Sequence, residues 1–475
     1  MLTDKPIVIM GAGPAGLTAA WELARAGKEV VVWEADPVYV GGISRTVQAE
    51  GFRFDIGGHR FFSKSPEVNE VWRQIMPDDF IDCPRLSRIY YKGKFFNYPL
   101  EALDAFFKLG PFETLRIILS YFKAKLFPIK PELSFAQWVS NRFGKRLFQI
   151  FFKSYTEKVW GISCDEISAD WAAQRIKGLS LREAIFSAFK GKKASPTAKT
   201  LIRNFFYPRL GPGQMWETAT AKIQALGGKV LLDRRVQTIH WDETGVTHIT
   251  GMNQLGEFFQ QEGSSFISSI PLQELMLSLD PPPPPDVAKA ATALRYRDFL
   301  TVCLVVERAN VFPDTWIYIH DPSVKVGRVQ NYKNWSIEMV PDPKFTSLGM
   351  EYFCFEGDNL WTASDYDLAR LAMKEAAQIG LVTEAEVKDA FVVRMPKAYP
   401  IYDQNYRKHV ETIRKWVCQF ANLQPVGRNG MHHYNNQDHS MMTAMLAARN
   451  IQGENFDCWK VNTEAEYHET DDAKA

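Results

Sequence analysis

Apolar and polar positions alternate on three different periods along this chain, and each period predicts a different element. The stretch "PIVIMGAGPAGLTAAWELARAGKEVVVWEA" (6–35) begins with an apolar run and breaks at Gly11, Gly13 and Gly16. It then follows a helical period from Leu17 to Ala26 and returns to an apolar strand that ends at Glu34. Strand, helix and strand in that order predict a βαβ unit. "LLDRRVQTIHWDETG" (231–245) reads as strand and turn, and "SSFISSIP" (264–271) as a further core strand. Between 100 and 195 the pattern is helical, whereas from about 296 to 395 segments such as "FLTVCLVVE" and "EYFCFEG" predict a mixed sheet. "DPPPPPD" (280–286) excludes helix and central strand and reads as a stiff connector. The polar, acidic end "TEAEYHETDDAKA" is expected to fray.

These segments divide the chain into an N-terminal nucleotide-binding part (1–80), a mainly helical insertion (81–200), a second nucleotide-binding part (201–285), a β-sheet substrate domain (286–400) and a C-terminal segment with its tail (401–475). The expected fold class is α/β, with a Rossmann-like domain, an inserted helical domain and a mixed sheet. The glycines carry the first chemistry. In G-x-G-x-x-G between strand and helix, Gly11 permits the turn, Gly13 lets a pyrophosphate approach the backbone, and Gly16 allows close packing. Pro14 and Ala15 open the helix, whose N-terminus favours an anion. Glu34 stands 18 positions beyond Gly16 (34 − 16), where a carboxylate can accept from ribose hydroxyls.

Composition narrows the class. The chain has 475 residues, 46% hydrophobic and 23% charged, enough for two or three ordinary globular domains. A net charge of +1 gives no reason to expect nucleic acid. Six cysteines without CxxC or metal-ligand spacing read as reduced thiols of a cytoplasmic protein, with no metal site. The chain enters its first strand almost at once, so no signal peptide is expected, and no apolar run reaches transmembrane length. In "EALDAFFKLGPFETLRIILSYFKAKLFPIKP" (101–131), large apolar residues at helical spacing mix with Lys108, Arg116, Lys123, Lys125 and Lys130. An inward-packed helical domain is the preferred account. The other is an amphipathic surface resting on anionic lipid, which a lipid-linked substrate would favour; membrane contact is then peripheral, at the inner face.

Motifs further along resemble a known group. "YVGGISRTVQAEGFRFDIGG", with Gly42, Ile43 and Arg45, looks like the second FAD-contacting stretch of glutathione-reductase-type flavoproteins, in the branch with amine oxidases, carotenoid desaturases, protoporphyrinogen oxidase and UDP-galactopyranose mutases. The resemblance implies FAD as cofactor, with Val236 flanking the adenine. "YTEKVWGI" (155–162) and "GRNGMHHYNNQDHSMMTAMLAARNI" (427–451) are similar to the mutases in particular. That similarity places Gly427, Arg428, Asp438, His439 and Ser440 at the flavin, and Tyr155, Thr156 and Trp160 at the substrate. A helix over 439–450 would point its N-terminus at the flavin N1 and C2 carbonyl. It also places the loop "GGHRFFSK" (57–64) under the flavin ring, so Gly57 and Gly58 would touch the isoalloxazine and His59 would reach its N5 edge. A histidine alone would more simply be a buried one satisfied by a carbonyl.

The mutase resemblance further implies two arginines on the diphosphate. Arg175 stands 15 beyond Trp160 (175 − 160), and Arg328 stands 10 beyond Tyr318 (328 − 318), with Trp316 beside it; Tyr399 and Tyr434 match tyrosines at phosphate and sugar. Planar guanidinium groups bind such oxygens bidentately. Glu101 and Thr156 depart from the family, which has glutamine and asparagine at these places, and "YNNQDHS" is shorter than its counterpart. The implied reaction contracts a pyranose to a furanose through attack of reduced FAD N5 on the anomeric carbon, after activation by NADPH or another donor. The alternative is an oxidase or desaturase acting on an amine, an apolar or a lipid-linked substrate, which has no use for two converging arginines.

Overall fold

A computed structural model describes residues 5–98, 100–169, 171–172 and 204–462 as a mixed α/β protein of several sheets. Its nucleotide-binding core is a five-stranded, all-parallel sheet in the order Leu423–Pro425, Ser265–Ser268, Ile7–Met10, Val30–Trp33, Lys229–Leu231. Both faces are covered, which is why Ile7–Met10 and Val30–Trp33 are apolar without alternation and fully buried. On one face lie the helices Pro14–Arg25, Gly213–Ala225 and Gln437–Ile451, packed around Leu17, Leu23, Trp216 and Met441. On the other lies an antiparallel meander, Arg235–Asp242, Gly245–Met252 and Phe258–Glu262, with the helices Leu272–Leu277, Pro285–Ala293 and Tyr406–Val417.

A seven-stranded sheet forms the second layer, in the order Val387–Pro400, Tyr296–Val306, Thr346–Cys354, Arg328–Asn331, Trp316–Ile319, Ser87–Tyr91, Lys94–Asn97. It is mixed because Trp316–Ile319 runs parallel to Ser87–Tyr91, while its other pairings are antiparallel. The hairpin 87–97 therefore completes the sheet from within the segment assigned above to the helical insertion. Helix Asp365–Gln378 covers one face through Leu368, Ala372 and Ala376; Trp335, Tyr332 and Phe54 pack on the other.

The helical part comprises Ala102–Leu109, Pro111–Leu126, Phe135–Phe143 and a run from Lys145 to Trp160, centred on Phe135, Trp138, Phe148, Phe151 and Trp160. Ser134 and Gln137 close a capping box at the start of the third of these. Two expectations change. The proline run is not a connector throughout: Leu279–Asp280 pairs with Ile239–His240, and Pro285 opens a helix, where its missing N–H costs nothing. The helix Pro111–Leu126 does not pack its apolar face inward, since Ile117 is its single buried residue.

Candidate active site

The dinucleotide turn is built by steric exclusion. A Cβ on Gly16 would lie 1.9 Å from the Gly11 carbonyl oxygen, so helix and turn touch there and no side chain fits. A Cβ on Gly13 would meet nothing within 4 Å, so the backbone faces open space where a pyrophosphate would lie. Pro14 sits in the first turn of the helix and Ala15 is buried against Gly427, whose own Cβ would stand 2.9 Å from that of Ala15. The last nucleotide-binding segment thus closes on the first, and the Gly427 N–H donates to Thr443 Oγ1 at 2.9 Å.

Glu34 accepts from the backbone N–H groups of Ala12 at 2.6 Å and Asp36 at 3.0 Å. Burial raises its pKa, and those two donors work against the shift. Its carboxylate thereby fixes the turn from the end of the second strand. Arg45 donates to Asp36 at 2.5 Å and lies over Tyr39, leaving its buried Nε without a partner among the described residues. Gly42 and Ile43 form the short helical turn before it. Val236 is half-buried and packs in the cluster that contains Trp33, beside the end of the second strand.

The histidine loop is held from the protein side. Gly57 has φ +88°, a backbone that side chains rarely adopt. At Gly58 a Cβ would stand 3.3 Å from the Trp335 indole, a tight approach that the ring would have to yield to. His59 Nε2 lies 2.9 Å from the Ile56 carbonyl and Nδ1 lies 3.4 Å from Ser44 Oγ. Burial, reinforced by the charge of Arg428, lowers its pKa to about 4, so the ring is neutral at pH 7.

The helix expected over 439–450 runs from Gln437 to Ile451, with Asn436 as its capping residue and His439 Nδ1 accepting in return. Ser440 is buried in its first turn, and Ser63 donates to Asp438 at 3.1 Å. Both amide atoms of buried Gln437 and Oδ1 of Asp438 lack a hydrogen-bond partner among the described residues, His439 Nδ1 standing 3.7 Å from the latter. Orphaned polar groups at a helix N-terminus, with the open face at Gly13, fit a bound FAD.

Beside this cradle the aromatic and cationic residues gather. Arg328 donates through Nη2 to the Tyr399 hydroxyl at 3.1 Å and through Nε to Glu351, whose side chain is 0% exposed. Burial opposes the Arg328 charge, yet Glu351 and the neighbouring tyrosines hold its pKa well above the ordinary value. Tyr399 stacks on Tyr434 at 5.9 Å, Arg428 lies over both rings, and Trp160 packs against both. Tyr318 meets Tyr155 edge-on at 5.7 Å and Trp316 at 5.9 Å. Thr156 is buried on the same helix as Tyr155. Arg175 lies outside the described residues.

Several residues of this cluster were not foreseen. Glu351 is a lone acid within the buried strand Thr346–Cys354, and that isolation was its signal. Arg60 lies over Trp316 at 5.0 Å, and Arg85 lies over Trp316 at 5.8 Å and Tyr98 at 5.5 Å. Arg60 follows His59 directly, whereas nothing local marks Arg85.

The sequence signature of the flavin containing amine oxidoreductases matches residues 14–380. The chain belongs to that family. As an amine oxidoreductase family member it is a flavin-dependent enzyme, and FAD is its cofactor. A protein of Mycobacterium tuberculosis named as a flavin-containing monoamine oxidase, AofH, is 24% identical over 297 residues, 60% of this chain and 61% of that one. A Klebsiella pneumoniae protein named as a UDP-galactopyranose mutase is 27% identical over 178 residues, 35% of this chain and 44% of that one. The chain thus spans about half to three-fifths of the curated relatives' length. A crystal structure of reduced UDP-galactopyranose mutase superposes with a TM-score of 0.81 at 20% identity, covering 97% of this amine oxidoreductase family member and 98% of that chain. At that identity the likeness is one of fold.

Proposed function

We propose that the protein is a flavin-dependent mutase that interconverts the pyranose and furanose forms of a nucleotide-diphosphate sugar, with UDP-galactose as the first substrate to test. The observation that carries this reading is the density of guanidinium and phenol groups next to the histidine loop: Arg328 bonded to Tyr399, Arg60 and Arg85 at Trp316, and Tyr155, Tyr318 and Tyr434 around them. A diphosphate uses such donors; an amine or a hydrocarbon does not.

Bound in its reduced form, FAD supplies a nucleophilic N5 and is recovered unchanged, so NADPH or another donor is required once rather than in every cycle. The arginines orient the diphosphate and stabilise its charge as it departs. Tyr399 and Tyr434, stacked on one another, position the sugar. Neutral His59, bonded to the Ile56 carbonyl, holds the loop backbone in place and adds no charge at the flavin edge.

One observation favours a second reading, an oxidoreductase of an apolar or lipid-linked substrate: Glu351 already neutralises Arg328. The two are separated by incubating dithionite-reduced protein with UDP-galactofuranose and chromatographing for UDP-galactopyranose. Turnover that appears only after reduction, without stoichiometric use of reductant or acceptor, supports the mutase. Substrate-dependent, stoichiometric consumption of oxygen or another acceptor overturns it.

A further inference from the structure

On the helix Pro111–Leu126, the residues Phe112, Leu115, Leu119, Phe122 and Leu126 recur at intervals of three and four and so share one face. Each is exposed, from 54% for Leu115 to 75% for Phe112. A helix of 16 residues is about 24 Å long. Leu103 and Phe107 on the preceding helix and Phe127 just beyond the end of this one are exposed as well, by 51%, 77% and 74%. Five large apolar side chains exposed along one helix face call for a partner, since single exposed residues are ordinary and a row of them is not.

Most carboxylates near the stripe are matched, with Glu101 at the start of the preceding helix the exception. Glu113 is taken by Arg146, Glu132 by Arg142 and Asp104 by Lys108. Among the described residues no carboxylate forms an ion pair with Lys123, Lys125 or Lys130. Lys123 and Lys125 are exposed in the last turn of the striped helix, and exposed Lys130 follows.

We infer that this face docks on the surface of an anionic lipid bilayer, with the phenylalanine and leucine stripe at the level of the acyl chains and the lysines among the headgroups. Phenylalanine and leucine on one side and lysine beside them is the pattern of a helix that lies in the interface plane. No helix among the described residues is long and apolar enough to cross a membrane, so the contact is in-plane. A second copy of the chain is the competing occupant. The lysines beside the stripe give an anionic surface charges to meet, which is the ground for preferring lipid.

The test uses the flavin-loaded full chain and flotation with vesicles of phosphatidylcholine, alone or with about 30% phosphatidylglycerol, the anionic fraction giving the surface potential that lysines read. Wild type is expected to float with the anionic vesicles and to be released as salt rises. Phe112→Ser with Phe122→Ser is expected to lower affinity at least about tenfold, since each ring loses apolar burial. Lys123→Gln with Lys125→Gln is expected to lower it about thirtyfold on anionic vesicles and to leave neutral ones unaffected. Flavin content and melting temperature report whether each variant folds, and the lysine pair tests the proposal even if the phenylalanine pair does not fold. Absence of wild-type flotation, equal flotation of folded variants, or a wild-type dimer that the phenylalanine variant converts to monomer would each overturn it; the last assigns the face to a second copy.

Discussion

Truncating Arg328 to alanine separates what this residue does for the fold from what it does for a ligand. Glu351 is fully buried and accepts from two groups, Arg328 Nε and the Gln330 amide. Without the guanidinium, a buried carboxylate keeps one amide partner. Breaking such a pair from one side costs about 3–5 kcal/mol, a large part of the roughly 5–15 kcal/mol that holds a domain folded. Arg328→Met combined with Glu351→Gln removes both charges and keeps an acceptor for Gln330, so it should recover all but about 1–2 kcal/mol. Ligand affinity should behave otherwise. Loss of a charge-assisted hydrogen bond weakens UDP binding by about 1.5–3 kcal/mol, or one to two orders of magnitude, in the single and the double variant alike. The assays are denaturant midpoints by tryptophan fluorescence and calorimetry with UDP on the dithionite-reduced protein. A single variant as stable as wild type would remove the argument about the buried pair. A double variant that binds UDP with wild-type affinity would remove Arg328 from the ligand.

Two further outcomes are expected. Gly13→Ala, with nothing within 4 Å of the added methyl, should fold like wild type yet retain less than about a tenth of its FAD affinity, whereas Gly16→Ala, 1.9 Å from the Gly11 oxygen, should not fold; FAD content and melting temperature of the apoproteins check both. Acidification should destabilise the protein: burial lowers the pKa of His320 and His432 to about 3 each, so below about pH 6.5 the unfolded chain takes up two protons that the native chain refuses. Asp55 opposes this, because burial raises its pKa to about 7 and the native state holds one proton there that the unfolded state lacks until about pH 4. His59 adds to the two histidines, and Glu34, raised by burial, sides with Asp55; the three histidines set the sign, and stability falls as the pH drops from 6.5 to 4.5. A melting temperature that holds or rises from pH 6.5 to 4.5 contradicts the sign.

The dinucleotide turn was legible because its chemistry is local: three glycines, a helix period and an acid lie within residues 6–35 and settle each other's roles. The strand 265–268 was legible for the same reason, as a short apolar run. What was not legible depended on partners far away. Trp335 stands beside Gly58, and no spacing in the sequence connects the two. The hairpin 87–97 carries ordinary strand residues, and only the parallel pairing with Trp316–Ile319 assigns it to the large sheet. Apolar spacing over 101–131 predicted helix there without the break at Gly110 between Ala102–Leu109 and Pro111–Leu126, and a period says which residues share a face but is silent on what covers it. The arginine cluster was half seen, because a resemblance points to positions that match a motif and not to Arg60 and Arg85, which reach Trp316 from other segments.

The parallel sheet has a consequence in time. Its inner strands Ile7–Met10 and Val30–Trp33 are made first, but Ser265–Ser268 is 232 positions beyond Trp33 (265 − 33) and Leu423–Pro425 is 390 beyond it (423 − 33). At about 5–20 residues per second of synthesis, the second strand waits roughly 20–80 s for the edge strand and the closing helix to exist. Throughout that interval the two strands have each other, and later Lys229–Leu231 and Ser265–Ser268, but the helix Pro14–Arg25 and the sheet face beside it lack Met441, Ala444 and Met445, which are still to be made. An apolar sheet face left uncovered for this long is a site for wrong contacts between nascent chains. Expression yield of this protein should therefore respond to slower translation and to chaperone supply more than to the stability of the finished fold. A circular permutant that begins near residue 423 and joins the described termini, so that the edge strand and Gln437–Ile451 are made before Ile7–Met10, should be recovered in higher soluble yield at the same stability.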